Sequence, residues 1–137
     1  MANPRVFISF DFDHNETEKY LFAGQAKNSR TPFNIEDWSS KSHLPQSQWE
    51  KIIEDKINRS NMVAVLVGKN TYLASGVIKE ISFADKNSIP VFGIYVDGTG
   101  VTTPLPDGLP RNRVIGWSWD NIANAIDQLM GEGKNKS

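Results

Sequence analysis

Residues 62–71 read Met62-Val63-Ala64-Val65-Leu66-Val67-Gly68-Lys69-Asn70-Thr71, and this stretch decides the fold. Six consecutive apolar residues, half of them β-branched, predict a strand buried on both faces, because a sheet with one wet face shows alternating polar positions. The run breaks into a glycine-led polar turn. Working outward, Val6-Phe7-Ile8-Ser9-Phe10-Asp11 has the same form, an apolar run ending in polar residues. Each run is followed by a helix-like segment. In an open parallel sheet the carboxyl ends of neighbouring strands form the ligand crevice. The two polar clusters are therefore expected to share one crevice.

The rest of the chain fills in around these two strands. Strand one is read over residues 5–11, followed by a helix over about 16–28 opened by Asn15 and Glu18. Phe33-Asn34-Ile35 is a brief second strand, and residues 36–46 read as irregular. Ser47 with Glu50 forms a capping box for a helix through Asn58, with Trp49, Ile52, Ile53 and Ile57 at helical spacing. After the third strand, Ser75 is read as the cap of a helix through Lys86. Strand four is Pro90–Val96, and Asp97 to Gly100 is a turn. The proline-rich stretch from Thr103 to Pro110 is an extended loop. Arg113–Gly116 is a short edge strand. Asp120 starts a last helix whose Ile122, Ile126, Leu129 and Met130 form one stripe, and Gly131 and Gly133 stop it. Residues 131–137 are expected to form a flexible tail.

This alternation predicts an α/β fold with a five-stranded parallel sheet, right-handed crossovers and helices on both faces. The expected strand order is 2-1-3-4-5, a flavodoxin-like arrangement with its switch point between strands one and three. At 137 residues the chain is read as a single domain, 1–137.

Composition narrows the function. The 15 basic and 16 acidic residues leave a formal net charge of −1, which points to neither nucleic acid nor membrane as a partner. The absence of cysteine removes disulfides, zinc–thiolate sites and thiol catalysis. No secretory leader or membrane span is read, so a cytoplasmic location is expected.

Several motifs fail on inspection. Gly68-Lys69-Asn70-Thr71 resembles the end of a P-loop, but Val63 stands where that motif needs glycine. Asp11, Asp13 and His14 could be metal ligands, yet their spacing is undiagnostic, and a solvated turn is the preferred reading, with no metal site. Gly98-Thr99-Gly100 precedes no helix and is no dinucleotide fingerprint. With two histidines and no serine on a nucleophile elbow, a Ser/His/Asp hydrolase is poorly supported. Glu80 is different. It lies about two turns into the helix after strand three, among Val77, Ile78, Ile81, Phe83 and Ala84. The alternatives there are a charge on an amphipathic face and a pocket carboxylate. A pocket carboxylate suits N-glycosidic cleavage, where fixed negative charge stabilises an oxocarbenium-like sugar. Phe10, Phe12 and Trp38 offer flat faces for a nucleobase or nicotinamide ring, although Phe10 also suits the core.

Taken as an ordered set, residues 6–13, the loop Asp37-Trp38-Ser39, and Val65 to Thr71 leading into Val77-Ile78-Lys79-Glu80-Ile81 resemble a TIR-like domain. The resemblance is to the branch containing the TIR-like ThsB subunits of bacterial Thoeris anti-phage defence, and it spans roughly residues 5–97. It implies a flavodoxin-like fold and cleavage of NAD at the nicotinamide–ribose bond, in some members with release of cyclic ADP-ribose-type messengers. The family's glutamate motif, W-(C/V)-x-x-E, corresponds to Gly76-Val77-Ile78-Lys79-Glu80, so Glu80 matches the catalytic carboxylate and Gly76 replaces the tryptophan. The resemblance also sets Ser9, Phe10 and Asp11 at the pocket edge, and Asp37 to His43 at the family's mobile loop over it.

The sequence is accordingly read as an NAD nucleosidase or ADP-ribosyl cyclase. Glu80 is the catalytic residue, and Ser9, Phe10, Asp11, Asp37, Trp38, Ser39, Thr71 and Gly76 contact the substrate. NAD is substrate, and no cofactor is implied. Self-association on activation, with a phage-derived activator, is the expected partnership. The alternatives are a non-catalytic signalling module that self-assembles or binds partners, and a nucleoside-processing transferase on a related fold.

Overall fold

The computed structural model describes residues 4–11, 14, 15, 17, 22, 34–38 and 45–135, with backbone alone for 34–38 and 46. The short apolar runs pair as strands β1 (Arg5–Ser9), β2 (Asn34–Trp38), β3 (Met62–Val67), β4 (Val91–Tyr95) and β5 (Val114–Ile115). All four pairings are parallel, and the sheet order is β2-β1-β3-β4-β5. β3 is buried at every residue, as its lack of alternation requires. Three helices are described: α1 (Gln46–Arg59), α2 (Ser75–Lys86) and α3 (Trp119–Leu129). Of the helix expected over 16–28, Thr17 and Phe22 are helical, and the remainder lies outside the described residues.

Strand pleating sorts the core into two clusters, because successive side chains point to opposite sides of a sheet. Val6, Ile8 and Phe10, with Met62, Ala64, Leu66, Phe92, Ile94 and Val96, pack with Ile122, Ile126 and Leu129 of α3. Phe22, Trp117 and Trp119 seal this side. Phe22 stacks on Trp119 at a 5.7 Å centroid distance, and Trp117 meets both rings edge-on. The other cluster joins Phe7, Val63, Val65 and Val67 to Ile53 and Ile57 of α1 and to Val77, Ile81 and Ala84 of α2. On its outer surface Lys79 pairs with Glu50 at 2.6 Å and Lys86 with Glu54 at 3.2 Å, lacing α2 to α1. Asn87 donates to Glu54, and that bond, with Lys86 beside it, holds the Glu54 carboxyl below its ordinary range.

Local propensity is overruled in several places. β2 runs on to Trp38 instead of stopping at Ile35, so Asp37 and Trp38 leave the expected loop and pair with Phe7 and Ile8. α1 starts at Gln46 after Pro45, and α2 starts at Ser75 after Ala74. Neither Ser47 nor Ser75 is a cap, and neither helix has a side-chain cap bond. α3 begins one residue before Asp120 and is capped by Ser118, whose Oγ accepts from Asn121 N. Ile52 is 43% exposed and leaves the apolar stripe of α1 to Ile53 and Ile57.

The chain end, where composition suggests a loose tail, is tied down through residue 135. Asn135 Nδ2 donates to the carbonyls of Asn58 and Ser60 at the end of α1, and Asn61 Nδ2 donates to Asn135 O. Terminal helix carbonyls need such partners. Lys134 N donates to Ser88 O, and Glu132 pairs with Arg113 at 2.8 Å.

The loops after β1 and β3 touch. Asn15 and Thr71 are both fully buried. Thr71 Oγ1 accepts from Gly68 N at 2.8 Å and lies 3.3 Å from Leu66 O and 3.5 Å from Asn15 Oδ1. A Cβ on Gly68 would sit 2.3 Å from Asn15 Oδ1, so only glycine allows this approach.

Gly68→Ala is expected to destabilise the fold by about 1–3 kcal/mol, as overpacking of a closed site does; an unchanged urea midpoint would refute this. The Arg113 guanidinium holds the Glu132 carboxyl below its ordinary value of 4.5. A lowered folded-state value stabilises above the unfolded value and is lost as pH falls through the folded one. Arg113→Met should therefore cost more stability at pH 7 than at pH 3, as read by thermal melts at both.

Candidate active site

The site begins with a carboxylate on the wrong face of a helix. Val77, Ile81 and Ala84 mark the core side of α2, and Glu80, one turn from Val77 and Ala84, lies on that same side. Its exposure is 0%. Glutamate is almost never fully buried unless it is paired. Here Ser9 Oγ donates to Glu80 Oε1 at 2.7 Å, across 71 residues of sequence. Ser9 is the last residue of β1 and pairs with Val65 of β3. The α2 carboxylate thus reaches the carboxyl end of β1, where β1 and β3 adjoin.

The same strand end carries a second polar pair. Asp11, 7% exposed, follows Ser9 by two residues, and its Oδ2 lies 2.6 Å from His14 Nδ1. The Asp11 carbonyl also accepts from the backbone N–H groups of His14 and Asn15, folding this segment into a tight turn. The His14 side chain is 56% exposed. Among the described residues, no group of three or more His, Asp or Glu is arranged to hold a metal ion.

The remaining residues singled out from sequence divide into those near this edge and those away from it. Thr71 is close, but its hydroxyl serves the turn after β3. Gly76 lies half-buried in the first turn of α2, and a Cβ built on it meets nothing within 4 Å. Phe10 is turned away. It belongs to the cluster on the α3 side of the sheet, opposite the helix that carries Glu80. Asp37 and Trp38 are placed by backbone alone, beside β1; Ser39 and the loop over 39–44 lie outside the described residues. The sequence suggests a helix-start role for Asn15, and it offers His14 as a metal ligand or hydrolase histidine without supporting either. The structure adds both to the strand-end cluster. A glycine opening the turn after β3 is the one local sign of the close approach by Asn15.

Among the described residues no helix is long and apolar enough to cross a membrane. A search of curated proteins found none similar to the chain. Among solved structures, the Clostridium botulinum CMP N-glycosidase BcmB is similar at 15% identity and a TM-score of 0.50, with 90% of this chain and 98% of that one covered. A prokaryotic SEFIR domain is similar at 15% identity and a TM-score of 0.54, covering 93% and 90%. At such identities the likeness is one of fold. The family model described as "Thoeris protein ThsB, TIR-like domain" matches residues 7–100, from the core of β1 past the end of β4 and including both Ser9 and Glu80. By that match, over more than half its length, the chain belongs to the ThsB family of TIR-like domains.

Proposed function

We propose that the protein cleaves the nicotinamide–ribose bond of NAD, releasing nicotinamide and an ADP-ribose or cyclic ADP-ribose product in anti-phage immunity. One observation carries the reading: a fully buried carboxylate held by Ser9 at the junction of the β1 and β3 ends. NAD suits a site with one such group. Its nicotinamide leaves as a neutral molecule from a cationic ring, so the acid that most glycosidases use to protonate the leaving group is not needed. What the reaction does need is fixed negative charge beside the C1′ carbon as it becomes oxocarbenium-like. A preoriented charge in a dry site supplies this without reorganisation.

In this reading Ser9 is a positioning residue. Its hydroxyl fixes one oxygen of Glu80, while the ribose approaches from the strand-end crevice. Thr71, Gly68 and Asn15 shape the rim. Asp11 lies at the entrance, Asp37 and Trp38 end β2 beside β1, and Ser39 opens the segment expected to cover the rings. The similarity to a CMP N-glycosidase agrees with N-glycosidic chemistry on this layout. Activity is expected to require assembly of several copies in the cytoplasm.

A second reading is a non-catalytic signalling module, and Gly76 is the feature that favours it. The family's tryptophan is missing from the first turn of α2, leaving open space where its side chain would begin. The SEFIR similarity is compatible with either reading.

Concentrated protein incubated with NAD should release nicotinamide, measured by chromatography, and Glu80→Gln should lower the rate by about 100- to 1,000-fold, the usual effect of removing one preoriented electrostatic group. Intact NAD at high protein concentration, with self-association by light scattering, would establish the module instead. Gly76→Trp should fold normally, since space for its Cβ is open, and should raise nicotinamide release several-fold. No change in rate would separate position 76 from the ring-binding side of the site.

A further inference from the structure

The mechanism above leaves one chemically capable pair unused, Asp11 and His14. We infer that His14, oriented by Asp11, is the general base that takes the proton from the acceptor hydroxyl in the cleavage reaction. This inference rests on the proposed N-glycosidic chemistry and deepens it.

An ionised carboxylate only accepts. With Asp11 Oδ2 2.6 Å from Nδ1, the neutral imidazole must carry its proton on Nδ1. The lone pair is then on Nε2, the nitrogen directed away from Asp11. This is the arrangement in which a buried carboxylate fixes the tautomer and orientation of a catalytic imidazole. Burial is divided to match. The Asp11 side chain is 8% exposed, which anchors the pair, and the His14 side chain is 56% exposed, which leaves its outer edge open to solvent. The backbone adds rigidity, since His14 N and Asn15 N both donate to the Asp11 carbonyl, and Asn15 is buried against Gly68. Asp11 follows by two residues the serine that holds Glu80, so the pair lies on the chain just past the strand end that the α2 carboxylate reaches.

The step balances. The C1′–N bond breaks and its electron pair stays on the nicotinamide nitrogen, which departs neutral. The acceptor oxygen, from water or from a hydroxyl of the ADP-ribose itself, forms the new bond to C1′. Its proton passes to Nε2 of His14 and then to solvent. Glu80 stabilises the charge developing on the sugar, and His14 activates what attacks it.

Among the described residues, Asp11 is the charged group within ion-pair distance of His14. At the same end of the sheet Lys69 follows β3, Asp97 follows β4, Asp37 lies near the end of β2, and Glu80 is buried against Ser9. Asp13, Glu16 and Glu18 lie outside the described residues.

The test is steady-state nicotinamide release by the full chain between pH 5 and 9. Wild type should show kcat falling on the acid side, as a base that must be unprotonated requires. His14→Ala should lower kcat by about 100-fold, with KM within about threefold, and should lose that acid limb. Free imidazole should restore part of its rate but none of the rate of Glu80→Gln. Asp11→Asn, which keeps the ring but can invert the tautomer, should lower kcat and leave the acid limb in place. A His14→Ala enzyme with wild-type kcat and acid limb would overturn this assignment while leaving NAD cleavage intact. Loss of rate in that variant without imidazole rescue, in protein with a wild-type melting temperature, would also overturn it. A wild type with no turnover of NAD would overturn the proposed function and this assignment with it.

Discussion

The hydrogen bond from Ser9 to Glu80 is the constraint on which the rest of the site depends. A glutamate on the core side of α2 loses its hydration, and a buried carboxyl without a partner is a costly group. The 2.7 Å bond offsets part of that cost and fixes where α2 can lie. α2 follows β3 in the chain, yet its carboxylate is held by β1. The bond therefore spans the switch point of the sheet, the place where this topology opens a crevice. The feature that makes burial of Glu80 tolerable also aims it at the strand ends.

The two-sided core explains why the pair is held so firmly. Val63, Val65 and Val67 of β3 and Phe7 of β1 form the floor beneath α1 and α2, whose Ile53, Ile57, Val77, Ile81 and Ala84 pack down on it. The ion pairs of Lys79 with Glu50 and Lys86 with Glu54 lie on the outer surface of that layer. Exposed pairs of this kind contribute little, about 0–1 kcal/mol each. Their effect is to favour one alignment of two helices that hydrophobic burial has already brought together. Phe10 takes no part in this layer, because one residue along a strand reverses the side chain's direction.

How much of this was legible depended on whether the deciding force was local. The continuous run of β3 marked a central strand, whereas the sequence singled out Glu80 among apolar neighbours and left open whether it faced solvent or a pocket. The limits of β2 were not legible. Asn34, Glu36 and Asp37 are poor strand formers, and pairing with β1 overrides them. The capping signals at Ser47 and Ser75 went unused because packing of each helix on the sheet sets where it begins, with Pro45 and Ala74 ahead of them. The tail looked loose because its bonds are long-range: Asn135 meets carbonyls at residues 58 and 60, which no local window contains. The same holds for Gly68, whose meaning appears only when Asn15 is brought against it.

Stability alone gives no reason for a carboxylate at position 80. Replacing a buried polar or ionic group by an apolar side chain of similar volume is often neutral or stabilising, whereas removing one partner of a buried pair is costly. A domain whose sole task was to fold and present a surface would be served as well by leucine or methionine at position 80, with alanine at position 9. The chain instead holds a fully buried glutamate and the serine that bonds it at the switch point of the sheet, where β1 and β3 adjoin. The glycine at position 76 concerns a different requirement of the proposed reaction, the packing of a departing ring. In the proposed reaction, absence of a wall beside the leaving group would slow turnover or broaden the substrates, but it would leave the carboxylate of Glu80 in place. Under the proposed function the two positions would therefore bear on separate properties, rate and ring selectivity at position 76 and the chemistry itself at position 80.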